Sequence, residues 1–272
     1  QDCGAPQTMN QDRLYGEHVR YYRNLGLPDL RTEDTGFAST AVACALDRAQ
    51  GMRPGPVHLN QPFRKPLWRE LERGDEMAPV RRAKISRGRL EPSGDMIPYL
   101  VWRMDESPRG VIVCGPNPGG LGGSALSESH GFSEAPLCLA DSLGWPILAD
   151  PLSSLRYGGH RHAAIISTYD AFLADSDVAQ ALAPQLILHF GRQPTSTALV
   201  QWMAQCEQAH TVLVEPSGDW HDPTHCASEL LAVDPERLCH HLCERLGDEP
   251  PADPHWIGRW QQLETTTRAC LN

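Results

Sequence analysis

From Gly110 to the end of the chain, short runs of uninterrupted apolar residues alternate with longer segments of helical periodicity. GVIVCG at 110–115, WPILAD at 145–150, PQLILHFG at 184–191 and HTVLVEP at 210–216 are apolar at nearly every position rather than at every second one. A strand with two apolar faces must be covered on both, which describes a parallel sheet between two layers of helices. The intervening segments fit those layers. FSEAPLCLADSLG reads as a helix with Ser133 as N-cap and Pro136 in its first turn, residues 168–181 read as one helix, and TSTALVQWMAQC as another capped by Thr195 or Ser196. SELLAV at 228–233 reads as a shorter strand, and helices over about 234–246 and 254–271 complete the pattern. The fold class expected is α/β, a doubly wound parallel sheet over residues 109–272.

Upstream the pattern is less complete. Residues 38–49, ASTAVACALDRA, have helical spacing, and PVHLN at 56–60 reads as a short strand ended by Pro62. One helix and one strand cannot bury themselves, so residues 1–65 read as the last αβ step of another domain. Residues 66–108, rich in charge, Pro and Gly, read as the connection, with one short helix in it. The chain opens on Gln1, lacks the segments of a signal peptide, and ends inside a helix with no stop signal. It is therefore expected to be an internal piece of a larger protein.

Composition narrows the function. With 34 acidic and 24 basic side chains the net charge is −10, which disfavours nucleic acid as a partner. The basic cluster Arg81, Arg82, Lys84, Arg87 and Arg89 has no aromatic residues between its charges and reads as a solvated linker. No apolar run approaches the roughly 20 residues that cross a bilayer, so no membrane insertion is expected. Nine cysteines, an odd number and several inside apolar runs, suit a reducing cytoplasm.

Three constellations can be weighed on their residues. Gly120, Gly122 and Ala125 fit G-x-G-x-x-A after the strand GVIVCG, with Asp150 where a ribose-binding acid would stand. Pro116, Asn117 and Pro118 intervene, however, and displace the motif from the strand, which favours a structural loop. There is no G-x-S-x-G; Ser153 and Ser154 follow Asp150 in a loop where Asp150 reads as a cap or turn residue. Cys226, His225, Cys239, His240, His241 and Cys243 could suggest zinc, but no C-x-x-C occurs and residues 239 and 243 share a helix face with nearby leucines, the pattern of core cysteines. Glu215, Asp219, His221, Asp222 and His225 cluster within EPSGDWHDPTH, which has the Gly and Pro of a surface loop.

Four stretches are more specific: DCGAPQTMNQ at 2–11, GPVHLNQPFRKPL at 55–67, GWPILADPLSSLR at 144–156 and HFGRQPTSTALVQW at 189–202. Together they resemble the 2-succinyl-5-enolpyruvyl-6-hydroxy-3-cyclohexene-1-carboxylate synthases, thiamine-diphosphate enzymes of menaquinone biosynthesis. The resemblance covers nearly the whole chain in order. It implies three α/β domains, of which this chain carries the end of the pyrimidine-binding domain (1–65) and the central Rossmann-like domain (109–272). It also implies a cytoplasmic, homo-oligomeric transferase that decarboxylates 2-oxoglutarate and adds the succinyl semialdehyde unit to isochorismate, using thiamine diphosphate and Mg2+.

The glutamate that activates the cofactor's aminopyrimidine is implied upstream of Gln1. The family's Gly-Asp-Gly metal motif is absent: Gly-Asp occurs at 74, 94, 218 and 247 without a following Gly, and no two asparagines are adjacent. By resemblance, Gln7 carries over the family's A-x-Q glutamine and is expected to contact cofactor and substrate. Pro6 stands where some members have asparagine, and Thr197 and Ala198 stand at positions often basic. Arg192 is expected as an anion contact for substrate. No catalytic residue and no metal ligand is expected within these 272 residues, and alone they are expected to be inactive with no cofactor bound. The alternative is a stand-alone α/β module that binds a nucleotide or an acidic regulator through the glycine-rich loop.

Overall fold

The computed structural model describes residue 6 and residues 8–28, 32–63, 83–116, 131–157, 162–247, 253 and 255–271. The chain forms two compact units, Gln1–Gly88 and Arg89–Asn272.

In the first unit, strand β1 (Tyr21–Asn24) runs parallel to β2 (Val57–Asn60), with helix α1 (Thr32–Gln50) crossing between them. The expected helix is present and longer. β1 is an addition to the expected single strand, because YYRN is half polar and gives no apolar run. Among the described residues of α1, Ala41 and Ala45 are buried, small enough to let the helix lie close. The Asp12 carboxylate ties the strands at their carboxyl ends, accepting from Tyr22 Oη at 2.6 Å, Asn24 Nδ2 at 2.8 Å and Asn60 Nδ2 at 3.3 Å.

The second unit begins with α2 (Met96–Asp105), which lies within the stretch read as a connection and buries Ile97, Leu100 and Met104. There follow β3 (Gly110–Cys114), α3 (Gly131–Leu143), β4 (Ile147–Ala149), β5 (Ile165–Ile166), α4 (Tyr169–Phe172), α5 (Ser176–Ala181), β6 (Leu186–Phe190), α6 (Thr197–Gln205), β7 (His210–Val214), β8 (Glu229–Leu231), α7 (Pro235–Arg245) and α8 (Trp256–Leu271). The sheet is wholly parallel in the order β5-β4-β3-β6-β7-β8. It reverses direction of growth between β3 and β6, as a doubly wound sheet does. Every residue of β3, β4 and β6 is buried. α2 and α3 pack on α7, while α4 packs on α6 and α8, giving two helical layers.

Several local expectations are corrected. Helix α3 begins at Gly131, so Ser133 lies inside it rather than capping it, and Pro136 sits beyond the first turn. Residues 168–181 form two short helices instead of one, because the Asp175 carboxylate accepts from the amides of Asp177 and Val178 and starts a new helix there. Ser196, not Thr195, caps α6 through Leu199 N at 3.1 Å. β5 is two residues long at the sheet edge and was too short to register as a period.

Helix α8 is fastened by aromatic and polar contacts to segments distant in sequence. Trp260 meets Trp202, Trp256 and Phe172 edge-on at centroid distances of 5.7, 5.9 and 6.0 Å. Trp256 Nε1 donates to the Gly110 carbonyl at 2.7 Å. Gly110 itself must lack a side chain, since a Cβ there would lie 2.2 Å from the Trp145 ring. At the other end of α8, Glu264 accepts from the amides and hydroxyls of both Ser167 and Thr168 at 2.6–3.0 Å, and from Arg268 Nε at 2.7 Å. Burial pushes this carboxyl upward, but the four bonds from Thr168 and Ser167 outweigh it and hold its pKa at about 2. No helix among the described residues is long and apolar enough to cross a membrane.

A lowered folded-state pKa stabilises the fold above the unfolded value of 4.5 and the benefit is lost as pH falls towards 2. Replacing Glu264 by Gln should therefore cost about 1–2 kcal/mol at pH 7, allowing for solvent screening through the exposed Arg268 side. Urea denaturation of both proteins should show the difference shrinking between pH 4.5 and pH 2. A pH-independent difference would mean that the carboxylate charge is not what holds α8.

Candidate functional site

The reversal between β3 and β6 makes their carboxyl ends the first place to look for a ligand. There the chain is closed by its own backbone. Gly115 N donates to Phe190 O at 2.9 Å, and Arg192 N donates to Pro116 O at 3.0 Å. A Cβ on Gly115 would stand 1.8 Å from the Arg192 carbonyl oxygen, so only glycine permits this crossing. His189 lies beneath, its Nε2 at 3.2 Å from that same carbonyl, and burial holds its pKa down to about 4. It is a neutral structural imidazole at pH 7, with its Nε2–H directed to the backbone.

Asp150, the candidate ribose acid, is fully buried and its acceptors are occupied. Oδ1 accepts from Leu152 N at 2.8 Å, forming the cap of a single 3-10 turn, and Oδ2 accepts from Thr195 N at 2.6 Å and Thr195 Oγ1 at 2.8 Å. This carboxylate joins the loop after β4 to the loop after β6 across the switch point. The reading of Asp150 as a cap holds, and its unforeseen partner is Thr195. Ser153 is buried and accepts from Leu155 N at 3.2 Å, so it belongs to the same turn. Gly120, Gly122 and Ala125 lie outside the described residues.

Arg192 projects from this closed edge. Its backbone is bonded on both sides, while its exposed guanidinium makes no hydrogen bond or ion pair among the described residues. Gln7, the other expected contact, lies outside the described residues.

The remaining clusters are structural. Asp222 accepts from Thr224 Oγ1 at 2.9 Å and Ala227 N at 2.7 Å. Burial raises its carboxyl, but these bonds outweigh the burial and lower it on balance. Glu215 accepts from Ser217 N at 3.1 Å. These bonds shape the loop 215–227 around a cavity of about 20 Å³ lined by His189, His221, Asp222 and Cys226. That is room for a water molecule and not for a substrate. Cys239 is wholly buried, His240 faces Glu236, and His241 lies 3.1 Å from Glu91. Among the described residues no three His, Cys, Asp or Glu side chains could hold a metal ion. Arg87 pairs with Asp47, and Arg89 with Glu236 and Asp234, while Arg81 and Arg82 lie outside the described residues.

Residues 101–272 match the family described as the middle domain of thiamine pyrophosphate enzymes. The whole chain is similar to curated 2-succinyl-5-enolpyruvyl-6-hydroxy-3-cyclohexene-1-carboxylate synthases. It is 34% identical over 273 residues to that of Geobacillus kaustophilus, covering 99% of this chain and 45% of the relative. It is 35% identical to that of Halorubrum lacusprofundi, covering 97% and 44%, and 34% identical to that of Chloroflexus aurantiacus, covering 99% and 44%. The chain thus spans about 45% of the length of the first of these. An X-ray structure from Mycobacterium smegmatis, provisionally described as a thiamin diphosphate-dependent enzyme, shares the fold with a TM-score of 0.54 at 17% identity, covering 89% of this chain and 43% of that one.

If Asp150 is a clamp, removing it strands the Thr195 and Leu152 amides in a dry site. Asp150→Ala should lower stability by about 2–4 kcal/mol, and Asp150→Asn by roughly half as much. Guanidinium denaturation midpoints would measure both. An Asp150→Ala protein as stable as the parent would return this carboxylate to the list of ligand-binding groups.

Proposed function

Because the chain belongs to the family of thiamine pyrophosphate enzymes that carry this middle domain, we propose that it forms part of a 2-succinyl-5-enolpyruvyl-6-hydroxy-3-cyclohexene-1-carboxylate synthase. In this reading residues 1–65 are the end of the pyrimidine-binding domain, 66–108 the connection, and 109–272 the central domain. The observation that carries it is the 34% identity, over 99% of the chain, to a relative of that name. The full-length protein would decarboxylate 2-oxoglutarate and add the succinyl semialdehyde unit to isochorismate, as a cytoplasmic homo-oligomer in menaquinone biosynthesis. Bound thiamine diphosphate would supply the carbanion chemistry, with Mg2+ on its diphosphate.

The residues described here do not fit either group. No metal-holding set occurs among them, and the sequence has no Gly-Asp-Gly. No chemical step is therefore assigned to them. The central domain's part is to hold its neighbours at a fixed spacing, for which a sheet with closed switch-point loops is suited. Gln7 is proposed to hydrogen-bond cofactor and substrate, and Arg192, whose guanidinium is exposed at the carboxyl edge of the sheet, to contact a substrate carboxylate. The alternative of a separate nucleotide-binding or regulator-binding module has weaker support, since Asp150 is buried and fully bonded.

Titrating thiamine diphosphate with Mg2+ into the 272-residue chain should give no saturable heat, whereas the full-length enzyme should bind both. In the full-length enzyme, Gln7→Ala should lower kcat/KM by roughly 100-fold, the range seen when one donor at a reacting centre is removed. Saturable binding to the 272 residues alone, or unchanged kinetics in the Gln7 variant, would contradict this assignment.

A further inference from the structure

The backbone of Arg192 is held on both sides. Its amide donates to the Pro116 carbonyl at 3.0 Å, and its own carbonyl oxygen lies 3.2 Å from His189 Nε2. A carbonyl only accepts, so His189 carries its proton on Nε2 and donates it there. The neighbouring residues are pinned as well. Gly191 N donates to Val214 O at 3.4 Å, and Thr195 N and Oγ1 donate to Asp150 Oδ2 at 2.6 and 2.8 Å. Among the described residues, His189 supplies the one side-chain bond to the Arg192 backbone.

A residue has two soft backbone torsions, and holding both its amide and its carbonyl fixes them. The direction in which the Arg192 Cα–Cβ bond leaves the sheet edge is then fixed too. The guanidinium beyond it is exposed and unpaired among the described residues, so its aim is set by that backbone.

We propose that His189 is a positioning residue for Arg192, its imidazole holding the Arg192 peptide so that the guanidinium is aimed at a substrate carboxylate. This rests on Arg192 making that contact, and adds a residue that does not itself touch the ligand. An imidazole suits the place. It is 5% exposed, and burial, opposed by smaller upward pulls from the Arg192 carbonyl and the Asp222 carboxylate, keeps its pKa at about 4. At pH 7 it therefore donates a hydrogen bond without placing a second positive charge behind the guanidinium. An arginine with a loose backbone has more freedom to lose on taking hold of an anion, which weakens binding without altering the reacting groups. The effect belongs in KM rather than kcat.

The test uses the full-length enzyme, with KM for 2-oxoglutarate and for isochorismate each measured while the other is saturating. Arg192→Ala should raise one of the two KM values roughly 10-fold to 100-fold, as loss of a charge-assisted hydrogen bond does. His189→Ala should raise the same KM about 3-fold to 10-fold, with kcat within about twofold of the parent. His189→Gln, whose amide still donates to the Arg192 carbonyl, should bring that KM back to within about twofold of the parent. In the Arg192→Ala background, His189→Ala should change it no further. Should His189→Ala fail to fold, His189→Phe, which fills the space without a donor, is measured in its place. A KM raised by Arg192→Ala but untouched by the folded His189 variant would overturn this inference and leave the Arg192 contact standing. An equal KM rise from the His189 variant with and without Arg192 would sink it as well. If Arg192→Ala altered neither KM, the contact itself would fall, and this inference with it.

Discussion

A parallel sheet whose central strands are buried at every residue exists only if helices cover both of its faces. β3, β4 and β6 impose that condition on the second unit. The chain meets it partly with elements from its far end. α7 returns to lie against α3, and α8 brings Trp256 and Trp260 against the opposite layer. Two features follow from this arrangement. Gly110 has to be glycine because Trp145 occupies its Cβ space, and its carbonyl can then receive the Trp256 indole. The Glu264 carboxylate is drawn to the Ser167–Thr168 turn because α8 passes there.

The same covered sheet carries, at its switch point, backbone and carboxylate contacts that tie the strand ends together. Where a dinucleotide-binding sheet leaves its strand ends apart, the Gly115 and Arg192 segments touch, and Asp150 joins the loops after β4 and β6. Among the described residues, the polar groups at this edge are spent on holding the loops together.

How far the sequence revealed these features depended on the length scale of the signal. The strands at 110–114, 186–190 and 210–214 were legible because each is apolar at most of its positions, without the alternation of a half-exposed strand. β1 and β5 were not, since Tyr21–Asn24 is half polar and Ile165–Ile166 is two residues long. Asp175 broke a helix that periodicity alone would have continued. Asp150 read correctly as a cap, yet its bond to Thr195 spans 45 residues and leaves no local trace. Glu264 has its partners 97 residues away, a separation that no local pattern records. Gln7 came only from resemblance, and no property of the isolated sequence singles it out.

The central physical claim is that Arg89–Asn272 is covered by its own helices and stands as a scaffold without help from the first unit. Native-state hydrogen exchange on residues 89–272 expressed alone tests it most directly. The amides of β3 and β6 should exchange only through global unfolding, at one common free energy, together with the indole of Trp256. Exchange of those amides within minutes, or separate free energies for the two strands, would show that the sheet depends on contacts outside this unit.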